Sequence, residues 1–65
     1  MKVTLDTEHN LAYIDLVDNP GMIIRTIQTV DGRINLDFNA AGELVGIELL
    51  DGHQLPAELK KECTS

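Results

Sequence analysis

Apolar and polar residues alternate along most of this chain, and clusters of Asp, Asn, Gly and Pro interrupt the alternation at intervals. A period of two marks a strand with one buried face, and such clusters mark the turns between strands. Five strands are read on this basis, over residues 1–6, 11–17, 22–30, 33–38 and 43–50. Between them lie Thr7-Glu8-His9-Asn10, Asp18-Asn19-Pro20-Gly21, Asp31-Gly32 and Asn39-Ala40-Ala41-Gly42. Asp31-Gly32 is the strongest of these signals, because a two-residue type I′ hairpin needs positive φ at both positions and Asp-Gly supplies it.

Register tests the pattern further, since a slip of one residue turns every side chain to the wrong face. Pairing successive strands at these loop lengths sets Leu5 opposite Ala12, Val3 opposite Ile14, Leu16 opposite Ile23, Ile27 opposite Leu36, Leu36 opposite Val45 and Ile34 opposite Ile47. One face then collects Val3, Leu5, Ile14, Leu16, Ile23, Ile27, Ile34, Leu36, Phe38, Val45, Ile47 and Leu49. Arg25 falls on the same face, opposite Ile14 and Phe38, which requires an edge position or an acidic partner. The other face is mixed, with Lys2 across from Asp15, Arg33 across from Glu48, and Met22, Ile24, Leu44 and Leu50 among them. Beyond Asp51-Gly52 the period changes, and residues 55–62 read as a short helix with Pro56 in its first turn and Leu55 and Leu59 as its buried stripe.

The expected fold is therefore mainly β, a small α+β domain over residues 1–65: a five-stranded antiparallel β-meander with a short C-terminal helix. With 65 residues the chain has room for one domain. A domain this short buries only about 60% of its unfolded surface, so its own core leaves a thin margin. Disulfides, a metal or oligomerisation are the usual remedies. The single cysteine, Cys63, excludes an internal bridge. It also points to a reducing compartment, and residues 1–6 lack the apolar run of a secretory signal, so a cytoplasmic location is expected. No apolar stretch reaches the length of about 18 residues that a membrane helix needs.

Eleven acidic against five basic residues give a formal charge of -6, a field that repels nucleic-acid phosphate and anionic lipid. Solubility accounts for this charge, and a basic protein partner is the functional alternative. At 43% hydrophobic residues the chain is too apolar for a disordered acidic tail.

Candidate chemistry is sparse. Asp37, Asn39, Gly42 and Glu48 match an EF-hand calcium loop at its first, third, sixth and twelfth positions. Position five is Ala41, which offers no side-chain oxygen, and the flanks read as strands where the motif needs helices. The register sets Asp37 opposite Leu44, leaving Glu48 about 13 Å further along. The spacing is then a hairpin turn closed by Gly42. Asp6, Glu8, His9 and Asn10 place oxygen and imidazole groups within one loop, enough for a weak surface metal site, although turn formation explains the same residues. His53 reads as an exposed loop residue. Cys63 follows the helix C-terminus, where the dipole disfavours a thiolate. Gly46 in mid-strand signals a bulge or the close approach of another backbone. Tyr13 reads as packing on a half-buried strand. Catalytic residues, metal ligands and cofactors are accordingly expected to be none.

Asp6-Thr7-Glu8-His9-Asn10-Leu11-Ala12-Tyr13-Ile14, with Asn35-Leu36-Asp37-Phe38, Gly42 and Leu44-Val45-Gly46-Ile47-Glu48-Leu49, resembles the uncharacterised bacterial family called domain of unknown function 2283. The family tends to carry an aromatic-Asp pair where this chain has Leu5-Asp6, an acid where it has Asn10, and an acidic turn where it has Asn39-Ala40-Ala41. The resemblance implies a small β-rich fold with no established activity, and suggests an antitoxin-like or partner-binding role.

The functional expectation is a non-enzymatic protein-interaction or assembly module. A domain binding a small ligand or metal between subunits is the alternative. Self-association is expected from area: five strands about 4.8 Å apart and six residues long present an apolar face of about 24 by 20 Å, and a helix of eight residues covers about a quarter of it. A second copy packed on that face, most simply in a two-fold dimer, would cover the rest. Closure of the meander into a barrel is the competing solution.

Overall fold

The computed structural model describes residues 1–51 and 55–61. It contains five strands, β1 (Lys2–Asp6), β2 (Leu11–Asp15), β3 (Ile23–Gln28), β4 (Ile34–Asn39) and β5 (Leu44–Leu49), followed by the helix α1 (Ala57–Lys60). All five form one antiparallel sheet, which agrees with the expected fold class. Each strand lies within or at most one residue beyond the segment read from the alternation. Among the described residues no helix is long and apolar enough to cross a membrane.

The strand order, β1-β2-β5-β4-β3, corrects the meander. β2 pairs with β5, and the Leu16–Ile23 and Arg25–Ile14 pairings do not form: the Leu16 N–H donates to the Val45 carbonyl at 2.9 Å. Alternation could not separate the two arrangements, because β3 and β5 both run antiparallel to β2. The connector after β2 instead crosses the end of the sheet, and the Pro20 carbonyl accepts from the Asn39 side chain at 3.0 Å. β5, flanked on both sides, is the central strand and has Val45, Gly46 and Leu49 buried. The sheet is open, with β1 and β3 at its edges, so the barrel is not the solution adopted.

β1 and β2 pair as read, with Val3 opposite Ile14, Leu5 opposite Ala12 and Lys2 opposite Asp15. β3 and β4 pair as read around Ile27–Leu36, but the turn differs from a type I′ hairpin. Gly32 has φ +72° and Asp31 is not among the residues with positive φ. The Asp31 carboxylate caps the turn instead, accepting from the Thr29 hydroxyl at 2.7 Å and the Arg33 N–H at 3.0 Å. A bulge at Ile24 sets Ile23 opposite Asn39 and removes it from the apolar row.

β4 and β5 are shifted by two residues from the expected register. Leu36 lies opposite Ile47 rather than Val45, Ile34 opposite Leu49 rather than Ile47, and Glu48 opposite Asn35 rather than Arg33. The cause is local: the Asn39 side-chain oxygen accepts from the Ala41 and Glu43 N–H groups, both at 3.0 Å, which tightens the turn, and a bulge between Asp37 and Phe38 adds the remaining offset. An even shift preserves the faces. The apolar row Val3–Ile14–Ile47–Leu36–Ile27 therefore runs unbroken across the sheet.

Among the described residues, cover lies over one end of that face. Val3, Ala12, Ile14, Leu49 and Leu55 form the buried cluster, with Leu5, Leu16, Ile34, Ile47 and Leu59 packed around it. Leu55 and Leu59 are the residues expected to anchor the helix, and α1 lies against β1. The helix is four residues rather than eight, and Pro56 is its N-cap. At the far end Arg25 sits on the edge strand with its guanidinium 5.0 Å from the centre of the Phe38 ring. The edge position and the ring contact resolve its place on an apolar face.

Candidate functional site

The polar face carries the most organised side chains. Register aligns Lys2, Asp15, Gly46, Asp37 and Thr26 in one row and Thr4, Tyr13, Glu48, Asn35 and Gln28 in the next. Tyr13 reaches from β2 across β5 to β4, where its hydroxyl donates to Asp37 Oδ2 at 2.5 Å. The Thr26 hydroxyl donates to Asp37 Oδ1 at 2.7 Å, and Asn35 Nδ2 donates to Glu48 Oε1 at 2.9 Å. Gly46 makes the crossing feasible: a Cβ there would overlap the Tyr13 hydroxyl and come within 2.6 Å of its Cζ. The expected bulge does lie beside Gly46, where Gly46 pairs with Asp37 and Leu44 with Phe38, and the close approach is that of a side chain rather than another backbone. Tyr13 packs, as expected, but it also bridges three strands through its hydroxyl.

Burial pushes the Tyr13 phenol well above its usual pKa, with the hydrogen bond to Asp37 and the charges of Asp37, Asp15 and Glu48 adding to the effect. Because the folded state holds the phenol proton more tightly than the unfolded chain does, this stabilisation is fully present below pH of about 10 and is lost as pH rises beyond it. Tyr13 is the sole tyrosine, so phenolate absorbance reports it alone. Its titration in the folded protein is expected to lie above the value in urea and to coincide with alkaline unfolding. Tyr13→Phe should lose stability at neutral pH and flatten that alkaline dependence; an unshifted phenol titration in the folded protein would contradict the bridge.

The EF-like residues do not assemble as ligands of one ion. Asp37 and Glu48 are closer than the expected register implied, since Asp37 faces Gly46 and Glu48 is two residues further on, about 7 Å along the strand. Asn39 and Gly42 belong to the hairpin turn, with Gly42 at φ +82°. In the β1–β2 loop the Asp6 carboxylate accepts from the His9 N–H at 3.1 Å and lies 2.9 Å from His9 Nδ1, contacts that hold it below the usual carboxylate range. Asn10 adopts φ 55° and its side chain donates to Asp51 at 2.9 Å. Glu8 is exposed and does not join the Asp6–His9 contact as a third ligand. Among the described residues no group of three or more His, Cys, Asp or Glu side chains is placed to hold a metal ion. His53 and Cys63 lie outside the described residues.

The other candidate surface is apolar. All six residues of β3 are exposed, Ile23, Ile24 and Ile27 by 40%, 60% and 41%. Met22 and Leu44 are also exposed. Sequence reasoning placed these residues on strands, and its one sign that β3 is an edge was Arg25 on the apolar face. Shallow grooves are also present: one of 180 Å³ is lined by Thr4, Asp6, Leu11, Tyr13 and Glu48, another of 200 Å³ by Arg25, Phe38 and Asn39, and a third of 240 Å³ by Lys2, Asp15, Val17, Asp18 and Pro20. Each is smaller than the pockets of about 300 Å³ and above that enclose small ligands.

A family model described as "Protein of unknown function (DUF2283)" matches residues 2–51. That span contains Tyr13, Asp37, Gly46 and Glu48. No curated protein and no solved structure matches the chain.

Proposed function

Because the chain belongs to the DUF2283 family of proteins of unknown function, we propose a role from its own surfaces: it is a non-enzymatic protein-interaction or assembly module that self-associates, as a dimer, through the β3–β4 end of its sheet. The observation that carries this reading is the exposure of every β3 residue at the end of the sheet that α1 leaves uncovered. Burial of an isoleucine, leucine or methionine recovers about 1.5–3 kcal/mol when complete. Ile24 and Ile27 on β3 are partly to largely exposed, so covering them recovers a few kcal/mol over the two copies, to which new main-chain or side-chain contacts add. Association costs about 4–15 kcal/mol, so the scale is that of a reversible dimer.

The polar face supports the non-enzymatic part. Tyr13 and Thr26 donate to Asp37 and Asn35 donates to Glu48, which commits the groups best suited to proton transfer to one another. The small volume of the three grooves named above, all among the described residues, favours a protein surface over a small-ligand pocket. Light scattering coupled to size exclusion tests the reading: the mass should move from one chain towards two as concentration rises. Ile27→Lys should hold it at one chain with the β spectrum retained. A single-chain mass for the wild type at every concentration would overturn self-association.

A further inference from the structure

We infer that β3 is the strand to which a second copy of this chain adds, its own β3 antiparallel to the first about a two-fold axis at Ile27, so that one sheet runs through both copies. This rests on the proposed self-association and specifies its geometry.

Exposure on both faces distinguishes a missing lateral neighbour from a missing cover. A bare apolar face alone would expose Arg25 and Ile27, whereas Thr26 and Gln28 on the polar face are exposed as well. The opposite edge, β1, exposes Lys2 alone among its five residues. Main-chain directions agree. The Thr29 N–H donates to the Ile34 carbonyl, so by antiparallel alternation residues 25, 27 and 29 turn their main-chain groups towards β4, and Thr26 and Gln28 turn theirs outward.

The side chains select the register. With the axis at Ile27, Thr26 of each copy meets Gln28 of the other, and these are the residues whose main-chain groups point out. Ile27 meets Ile27, with Ile24, 60% exposed, at the bulge and Val30, 108% exposed, in the turn at the two limits of the paired stretch. Arg25 falls opposite Thr29, the last residue before the turn that carries Asp31, which brings opposite charges to the same end of the contact. Two-fold symmetry makes that charge pairing twice. An axis at Arg25 or Thr26 would instead bring the two arginines opposite or diagonal to each other. β3 itself carries no carboxylate, so the acid at this contact is Asp31 in the following turn, near Arg25 of the other copy. The bulge at Ile24 twists the strand away and limits the paired length, which suits a reversible contact.

Gln28→Pro is the direct test, since it removes an outward N–H twice per dimer while proline is tolerated on an edge strand whose N–H faces solvent. The dissociation constant by sedimentation equilibrium should rise at least about tenfold, with thermal unfolding of the dilute monomer little changed. Amide exchange on the wild type gives a second readout that does not depend on a variant folding: protection at Thr26 and Gln28 should increase with concentration. A dimer that forms with Gln28→Pro undiminished, or whose Thr26 and Gln28 amides exchange equally at all concentrations, would place the contact elsewhere and overturn this geometry while leaving self-association standing. A wild type that stays a single chain throughout would overturn both.

Discussion

Replacing Gly46 with alanine is expected to destabilise the fold by about 1.5–5.5 kcal/mol, an overpacking cost of about 1–3 plus a lost hydrogen bond to a charged group of about 1.5–3, less the gain of about 0.5–1 that alanine brings to a strand. The substitution adds one methyl group, and on most strands it would help, since glycine in a strand interior costs about 0.5–1 kcal/mol relative to alanine. Here the methyl would occupy the space of the Tyr13 ring. Tyr13 would have to rotate away, which breaks its contact with Asp37 and leaves that carboxylate with Thr26. For a domain this small each kcal/mol moves the melting temperature by about 4–8 °C, so the effect is large in a thermal scan. The discriminating measurement is the same substitution made in a Tyr13→Ala background. Without the ring the space is free, and Gly46→Ala should become neutral or stabilising. Equal losses in both backgrounds would mean that Gly46 is required for a reason other than the tyrosine.

How far these features were legible in the sequence depends on what sets each of them. Strand positions and faces were legible because they depend on a period of two, which survives both an exchange of neighbours and an even register shift. The neighbour of β2 was not, since β3 and β5 present the same polarity and similar apolar faces to it. The β4–β5 register was not, because Asn39 moved it by two residues through side-chain hydrogen bonds to Ala41 and Glu43 that hydropathy does not record. Asp31 shows the same limit: Asp-Gly marked the turn correctly, but the aspartate serves it through its carboxylate rather than through positive φ. Of the polar site, Gly46 was visible as an anomaly and Tyr13 as an aromatic on a strand. Their relation required the β2–β5 pairing, and so did the position of β3 at the edge, of which Arg25 was the one sign.

Leu55→Ala is expected to cost about 2–4 kcal/mol, within the range for a buried leucine truncated to alanine. Leu55 lies beyond the span matched by the family model, yet it is 3% exposed and belongs to the same cluster as Val3, Ala12, Ile14 and Leu49. A helix of four residues has no stability of its own, because nucleation outweighs so few hydrogen bonds. What holds α1 in place is the burial of Leu55, assisted by Leu59, and what α1 returns is cover for the β1 end of the apolar face. A chain of this length has a total stability of about 3–10 kcal/mol at typical values per residue, so the substitution removes a large fraction of it. Leu59→Ala should cost less, because Leu59 is only half-buried, and Lys60→Ala, on an exposed position, should change little. Urea unfolding followed by far-ultraviolet circular dichroism orders the three: the midpoint should fall most for Leu55→Ala, less for Leu59→Ala and hardly at all for Lys60→Ala. A Leu55→Ala midpoint equal to the wild type would show that the sheet keeps its apolar face without this segment, and the core would then have to be sought among the strands alone.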